Sequence, residues 1–291
     1  MTAAGPAPGG GTRYHAALDT RWDYLLPSGG VLMTVALRAA VAELADGDLR
    51  LVSATTMFCA PIYPGPLAAD VVVLRRGRAA AQVRIALRNT YQPGYESKAS
   101  EGLEVVATFC RERSGPDVVG ARPPRVPGPT EAADARDGHP GNPYARYPFY
   151  RHLDVRLADA ARPWQPDFAA GPAADARWLR YRVPQRDAAG RLDPLALPPL
   201  ADTMPGALVR AIGPGDYRFY APSLDLTLHV LADTEREWLL ACARVRRARA
   251  GWATGEIELW DDAGQLVAMG TQAMFIQGVA GQPPTVDAAG S

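Results

Sequence analysis

An excess of charge of either sign is missing: 31 Lys and Arg residues balance 31 Asp and Glu. A net charge of zero leaves the whole chain without an electrostatic footprint for nucleic acid or an anionic membrane, so neither is an expected partner. Cysteine is scarce and odd in number. Cys59, Cys110 and Cys242 lie in apolar or strand-like sequence, which argues against a disulfide framework, predicts three core thiols, and places the protein in a reducing, cytoplasmic compartment. No apolar run approaches the ~20 residues that cross a bilayer. Residues 1–12 have neither the basic start nor the apolar core of a signal peptide, and their Gly, Ala and Pro predict a disordered tail.

What is present is apolar sequence in two periods. At 47% hydrophobic residues, the 291-residue chain has enough material for a soluble globular protein with a sizeable core. From Val31 to Leu44 the apolar side chains come at helical spacing and nearly surround the axis, which predicts a deeply buried helix. Gly29 and Gly30 at its start permit close approach of another backbone or a ligand, and the free N–H groups of a first helical turn can receive an anion or a carbonyl oxygen. Arg13 to Asp19 reads as a strand before this helix. Leu49–Phe58, Leu67–Leu74, Ala80–Arg88 and Leu103–Arg111 read as strands after it, with Arg75-Arg76-Gly77-Arg78 as a turn.

The same plan returns later in the chain. Tyr150–Leu157 and Arg177–Val183 alternate as strands, and Thr203–Ile212 reads as a short apolar helix ended by Gly213-Pro214-Gly215. Asp202 stands just before it, where an aspartate caps or precedes a helix N-terminus. Ser223 to Val230 then alternates strictly, with Ser223, Asp225, Thr227 and His229 on one face and Leu224, Leu226, Leu228 and Val230 on the other. Trp238–Arg246, Gly255–Trp260 and Gln265–Ile276 complete a meander with Gln272 in its last strand. The two halves form an internal repeat in which Ser53 falls opposite Ser223, the arginine turn at 75–78 opposite Arg246-Arg247-Ala248-Arg249, and Phe109 opposite Gln272. The expected organisation is a disordered tail (1–12), a first repeat (13–113), a surface linker (114–147), a second repeat (148–278) and a loose C-terminal tail (279–291).

A buried helix wrapped by an antiparallel sheet, present twice in one chain, resembles the double-hotdog architecture, an α+β fold with one continuous sheet. More narrowly the sequence is similar to the acyl-CoA thioesterase II family and the thioesterase-like proteins around it, from about Arg13 to Gln277. The residues that carry this likeness in the first half are Ser28-Gly29-Gly30-Val31-Leu32, Thr56-Met57-Phe58-Cys59-Ala60-Pro61 and Arg75-Arg76-Gly77-Arg78. In the second half they are Leu200-Ala201-Asp202, Ser223-Leu224-Asp225-Leu226-Thr227-Leu228-His229, and Trp260 onward to Gln272.

The resemblance implies hydrolysis of an acyl thioester by a water molecule that an Asp, a hydroxyl residue and a Gln hold and activate. Asp202 falls on that Asp, Ser223 on the hydroxyl position and Gln272 on the Gln, with Thr227 a second candidate hydroxyl of the same strand parity. A carboxylate accepts the water's proton while a hydroxyl and an amide orient it. A backbone N–H at Gly29 or Gly30 is the candidate oxyanion donor, and Arg246, Arg247 and Arg249 are candidates for the phosphates of coenzyme A. Leu32, Met33, Met57 and Phe58 are candidate acyl-tunnel residues. No metal or cofactor is implied beyond coenzyme A as part of the substrate; the partner is a small acyl thioester or an acyl carrier protein. Assemblies of several chains are common in the resembling family.

Duller roles compete for the same residues. Asp202 can be an N-cap, Gln272 can satisfy a buried backbone group, and the arginine turns can be solvated hairpins. Two other functions fit the fold: dehydration, hydration or cyclisation of a thioester-linked intermediate, with His229 beside Asp225 as the catalytic pair, or non-catalytic acyl binding or scaffolding.

Overall fold

A helix that is apolar on nearly every side is stable only where every side is covered. Gly29–Leu44 is such a helix, α1. Met33, Ala36, Leu37, Ala39 and Ala40 are fully buried, and only a rim with Arg38 and Val41 meets solvent. The computed structural model describes residues 1–90 and 102–282, so the end of the expected C-terminal tail, 283–291, lies outside the described residues.

Around α1 the first half supplies β1 (Thr2–Pro6), β2 (Thr12–Leu18), β3 (Arg50–Phe58), β4 (Gly65–Arg76), β5 (Ala80–Asn89) and β6 (Leu103–Cys110). The connecting segment carries β7 (Ala133–Asp134) and a single helical turn, α2 (Pro143–Arg146). The second half begins with β8 (Leu153–Leu157) and β9 (Ala174–Tyr181), passes through α3 (Leu197–Ala201) and α4 (Pro205–Ile212), and reaches β10 (Arg218–Tyr220) and β11 (Asp225–Val230). It ends with β12 (Leu239–Arg249), β13 (Trp252–Asp261), β14 (Leu266–Phe275) and β15 (Gln277–Ala280).

Thirteen of these strands form one sheet in the order β1-β2-β4-β5-β6-β3-β11-β14-β13-β12-β9-β8-β7. The run β2-β4-β5-β6-β3 is mirrored by β9-β12-β13-β14-β11, and the halves meet where β3 pairs antiparallel with β11, Thr55 opposite Thr227. This is the double-hotdog plan. Alternation dictates the inner layer: Leu51, Ala54 and Thr56 of β3 and Leu226 and Leu228 of β11 are buried toward the helices.

The register corrects the expected repeat alignment. Matching bulges interrupt β4 after Val73 and β12 after Val245; Val83 and Gly255 stand opposite those residues, and Ala107 and Gln272 stand opposite Val83 and Gly255 in turn. Gln272 therefore corresponds to Ala107 and not to Phe109. With Thr55 facing Thr227 across the junction, Ser53 corresponds to Asp225 and Ser223 to Leu51. A bulge between Leu51 and Ser53 shifts the local register, which a sequence comparison without coordinates does not see.

Other expectations change at the edges. Thr2–Pro6 is not a loose tail: it pairs with β2 through backbone hydrogen bonds that demand nothing of its Gly, Ala and Pro side chains. The end of the 114–147 linker is packed, with Ala132, Ala135, Asn142 and Tyr144 buried. Of the cysteines, Cys110 and Cys242 are half-buried and Cys59 is exposed, because the chain leaves the sheet just after Phe58. Met57 is exposed too, on the outer face of β3, so it is not placed with Leu32, Met33 and Phe58 on the helix side. Among the described residues no helix is long and apolar enough to cross a membrane.

Candidate active site

The helical run of the second half is broken. Pro205 has no N–H to continue the ladder and begins α4 afresh, while Asp202 leaves helical geometry at φ −74°, ψ 26° as the C-cap of α3, its N–H bonded to Pro198 O. Asp202 therefore does not cap the helix that follows it, as the sequence suggested. Its carboxylate crosses to the other repeat.

There it meets the start of α1. Asp202 Oδ2 accepts from the Gly30 N–H at 2.9 Å and from Ser28 Oγ at 2.9 Å. Ser28, in the N-cap position, makes no cap bond of its own, so a carboxylate from another helix satisfies a donor that the first turn leaves orphaned. Gly30 is needed for this approach, because a Cβ there would collide with the backbone of Pro198. Ser28 was not foreseen as part of the site; it sat in a Ser-Gly-Gly sequence that reads as a turn.

The other carboxylate oxygen collects the second half's polar groups. Asp202 Oδ1 accepts from Gln272 Nε2 at 2.7 Å and from Ser223 Oγ at 3.1 Å, and Gln272 Nε2 also reaches Ser223 Oγ at 2.5 Å. Asp202, Gln272 and Ser28 are buried. Ser223 escapes the parity of its strand: it lies before β11, where its backbone makes an isolated bridge to Met274, and its hydroxyl turns to Asp202. Gln272 Oε1 is buried without a hydrogen-bond partner among the described residues.

Burial pushes the Asp202 carboxyl above the usual carboxylate range, opposed by the hydrogen bonds from Gly30, Ser28, Gln272 and Ser223. Two buried phenols, Tyr24 and Tyr150, feel the same charge and are themselves raised by burial. They stand edge to face with ring centroids 5.6 Å apart.

Comparison with known proteins identifies the family. Residues 18–111 match the model of the acyl-CoA thioesterase N-terminal domain, and residues 123–276 match that of the C-terminal domain. The chain belongs to the acyl-CoA thioesterase family. No curated protein matches it significantly. Among solved structures, it is similar in fold to the acyl-CoA thioesterase II TesB2 of Mycobacterium marinum, with TM-score 0.66 and 20% identity over 93% of this chain and 94% of that one. A conserved hot-dog-fold protein of unknown function from Alicyclobacillus acidocaldarius gives TM-score 0.74 and 21% identity over 91% and 93% of the two chains. The 12:0-ACP thioesterase of Umbellularia californica is more distant, at TM-score 0.52 and 10% identity over 91% and 94%.

In this member of the acyl-CoA thioesterase family the remaining sequence candidates lie elsewhere. Thr227 Oγ1 is 3.0 Å from Thr55 Oγ1 across the β3–β11 junction. His229 is exposed, and its neighbour Asp225 accepts from the Ala273 N–H, so the pair required for dehydration does not form beside Asp202. Arg246, Arg247 and Arg249 are exposed at the end of β12; Arg246 is ion-paired with Glu256. The Gly30 N–H is engaged by Asp202, which leaves Gly29 as the candidate oxyanion donor at the start of α1.

Proposed function

We propose that this protein is an acyl-thioester hydrolase in which Asp202 is the general base. The observation that carries this reading is the Asp202–Ser223–Gln272 cluster, gathered around one buried carboxylate and left with an acceptor at Gln272 Oε1 that has no partner among the described residues. An unsatisfied buried carbonyl oxygen is costly unless a ligand or water uses it. A water bound there donates one hydrogen to Gln272 Oε1. Ser223 Oγ, already an acceptor from Gln272, is free to turn its own hydrogen away and open a lone pair on Asp202 Oδ1 for the second.

The water oxygen attacks the thioester carbonyl carbon as its proton passes to Asp202, and the carbonyl π electrons move onto oxygen. Gly29, at the positive end of α1, meets that oxyanion with its backbone N–H. Collapse restores the carbonyl and breaks the C–S bond; the departing thiolate takes the proton from Asp202. Acid and thiol result, one water is consumed, and the carboxylate is regenerated. The substrate is an acyl-CoA or an acyl group on a carrier protein, with Arg247 and Arg249 available to the phosphates of either pantetheine carrier.

The test is Asp202→Asn, assayed for thiol release from acyl-CoA of short, medium and long chain. We expect kcat to fall by about 10²–10⁴ with a small change in Tm. Retained activity with a large loss of Tm would make Asp202 a cross-repeat cap and nothing more.

A further inference from the structure

We infer that Arg177 is a positioning residue for Asp202, acting with Asp175 as a buried clamp that ties the helix break between α3 and α4 to strand β9. Asp175 and Arg177 share the inward face of β9 with Leu179 and Tyr181, and Arg177 is 3% exposed. Its Nη1 lies 2.7 Å from Asp175 Oδ2 and 3.1 Å from Tyr144 Oη. Its Nη2 donates to the backbone carbonyl of Thr203, the residue that follows Asp202.

That carbonyl needs a strong donor. It belongs to the break, where the helical ladder is interrupted, and its other partner is the Gly206 N–H at a long 3.4 Å. On the other side of Asp202 the backbone is already fixed, by the Asp202 N–H on Pro198 O and by Thr203 Oγ1 on Leu200 O at 2.8 Å. The guanidinium completes the set, so the peptide units on both sides of Asp202 are held while its carboxylate reaches across to Ser28 and Gly30. Space for the clamp is reserved in the helix: a Cβ on Gly206 would sit 2.7 Å from Arg177 Nη1 and 2.8 Å from Asp175 Oδ2.

A buried ion pair is no more stabilising than a well-packed apolar pair of the same volume, because both charges lose their hydration. What the guanidinium adds is direction. Arg177 carries its charge against burial because the Asp175 carboxylate and the accepting Tyr144 hydroxyl oxygen hold it there. Two further ionisable groups near Asp202 are Tyr24 and Tyr150, which burial keeps protonated. A carboxylate displaced by even ~1 Å loses its line to the reacting water, a misplacement that costs up to about 10²-fold in rate.

The catalytic consequence rests on the hydrolase proposal; the geometric one does not, and the experiment separates them. The Gly30 amide proton, bonded to the Asp202 carboxylate, serves as a reporter in selectively ¹⁵N-glycine-labelled protein, its dependence on that carboxylate established with Asp202→Asn. Arg177→Met removes the donor at similar volume, and Gly206→Ala displaces the pair with both charges intact; the second variant decides if the first does not fold. In a folded variant we expect the Gly30 resonance to move toward its Asp202→Asn position, and kcat on lauroyl-CoA to fall about ten- to hundredfold with KM unchanged. A Gly30 resonance left at its wild-type position, with only Tm lowered, overturns the inference. If the wild type releases no thiol from any acyl-CoA, the hydrolase reading is lost and the Gly30 resonance still decides the role of Arg177.

Discussion

The side-chain amide of Gln272 donates to the Asp202 carboxylate at 2.7 Å across 70 residues of chain, and its own carbonyl oxygen is buried with no partner among the described residues. Gln272→Ala removes both the donor that orients the base and the acceptor for water. We expect kcat/KM to fall about 10²-fold, the usual cost of one preorganised polar group in a catalytic site. Gln272→Glu is the sharper test. Two carboxylates in contact share one proton near neutrality, so this isosteric change should silence thiol release at pH 7 as fully as the alanine does. Steady-state kinetics on one acyl-CoA reads both.

Ser223 and Thr227 have the same parity in the sequence but different surroundings. Ser223 Oγ is within hydrogen-bond distance of Asp202 and Gln272, whereas Thr227 Oγ1 faces Thr55. Ser223→Ala should lower kcat/KM roughly tenfold, the equivalent of one hydrogen bond. Ser223→Thr should keep most of the activity, because the hydroxyl is retained. Thr227→Val should leave kcat/KM unchanged and lower Tm slightly through the loss of the Thr55 contact. Activity that follows Thr227 instead would assign the hydroxyl to the wrong strand position.

The pH profile follows from the burial of Asp202. A free aspartate titrates near about 3.9, and here burial raises the carboxyl above that value despite its four donors. A general base works ionised, so kcat/KM should rise with pH through an acid limb whose midpoint lies above that of an exposed aspartate, and then level off. Ser28→Ala withdraws one donor from Oδ2 and should move the limb further toward neutral pH. A limb at or below the ordinary aspartate value would mean that another group carries the proton.

The sequence displays whatever periodicity records. The all-round apolar pattern at 31–44 could only be a covered helix, and the alternation at 225–230 could only be a half-buried strand. Asp202, Ser223 and Gln272 were visible as polar groups interrupting apolar segments, and a family likeness joined them. Ser28 and Arg177 were not visible as site residues, for different reasons. Ser28 gains its role only when α3 packs on α1 and brings Asp202 to it. Arg177 did carry a signal, since it shares strand parity with Leu179 and Tyr181 on a buried face; an arginine at an inward position marks a buried charge with a partner. Thr2–Pro6 left no trace because its pairing uses backbone alone.

Asp23 offers a test of stability that is independent of catalysis. It lies in the loop before α1 with Oδ1 buried and without a partner among the described residues, and burial, with the charge of Asp19 adding to it, pushes its carboxyl up to about 6. In the unfolded chain the group titrates near about 3.9. Folding therefore favours its protonated form: the associated stability is fully present below the unfolded value and is lost as pH rises through the folded one. Asp23→Asn keeps the shape and removes the titration. The difference in Tm between variant and wild type should be flat below about pH 4, should grow in favour of the variant up to about pH 6, and should level off above it. Thermal denaturation of both proteins from pH 4 to pH 8 measures that difference. A gap that does not change with pH would mean that the Asp23 carboxylate keeps its hydration in the folded protein.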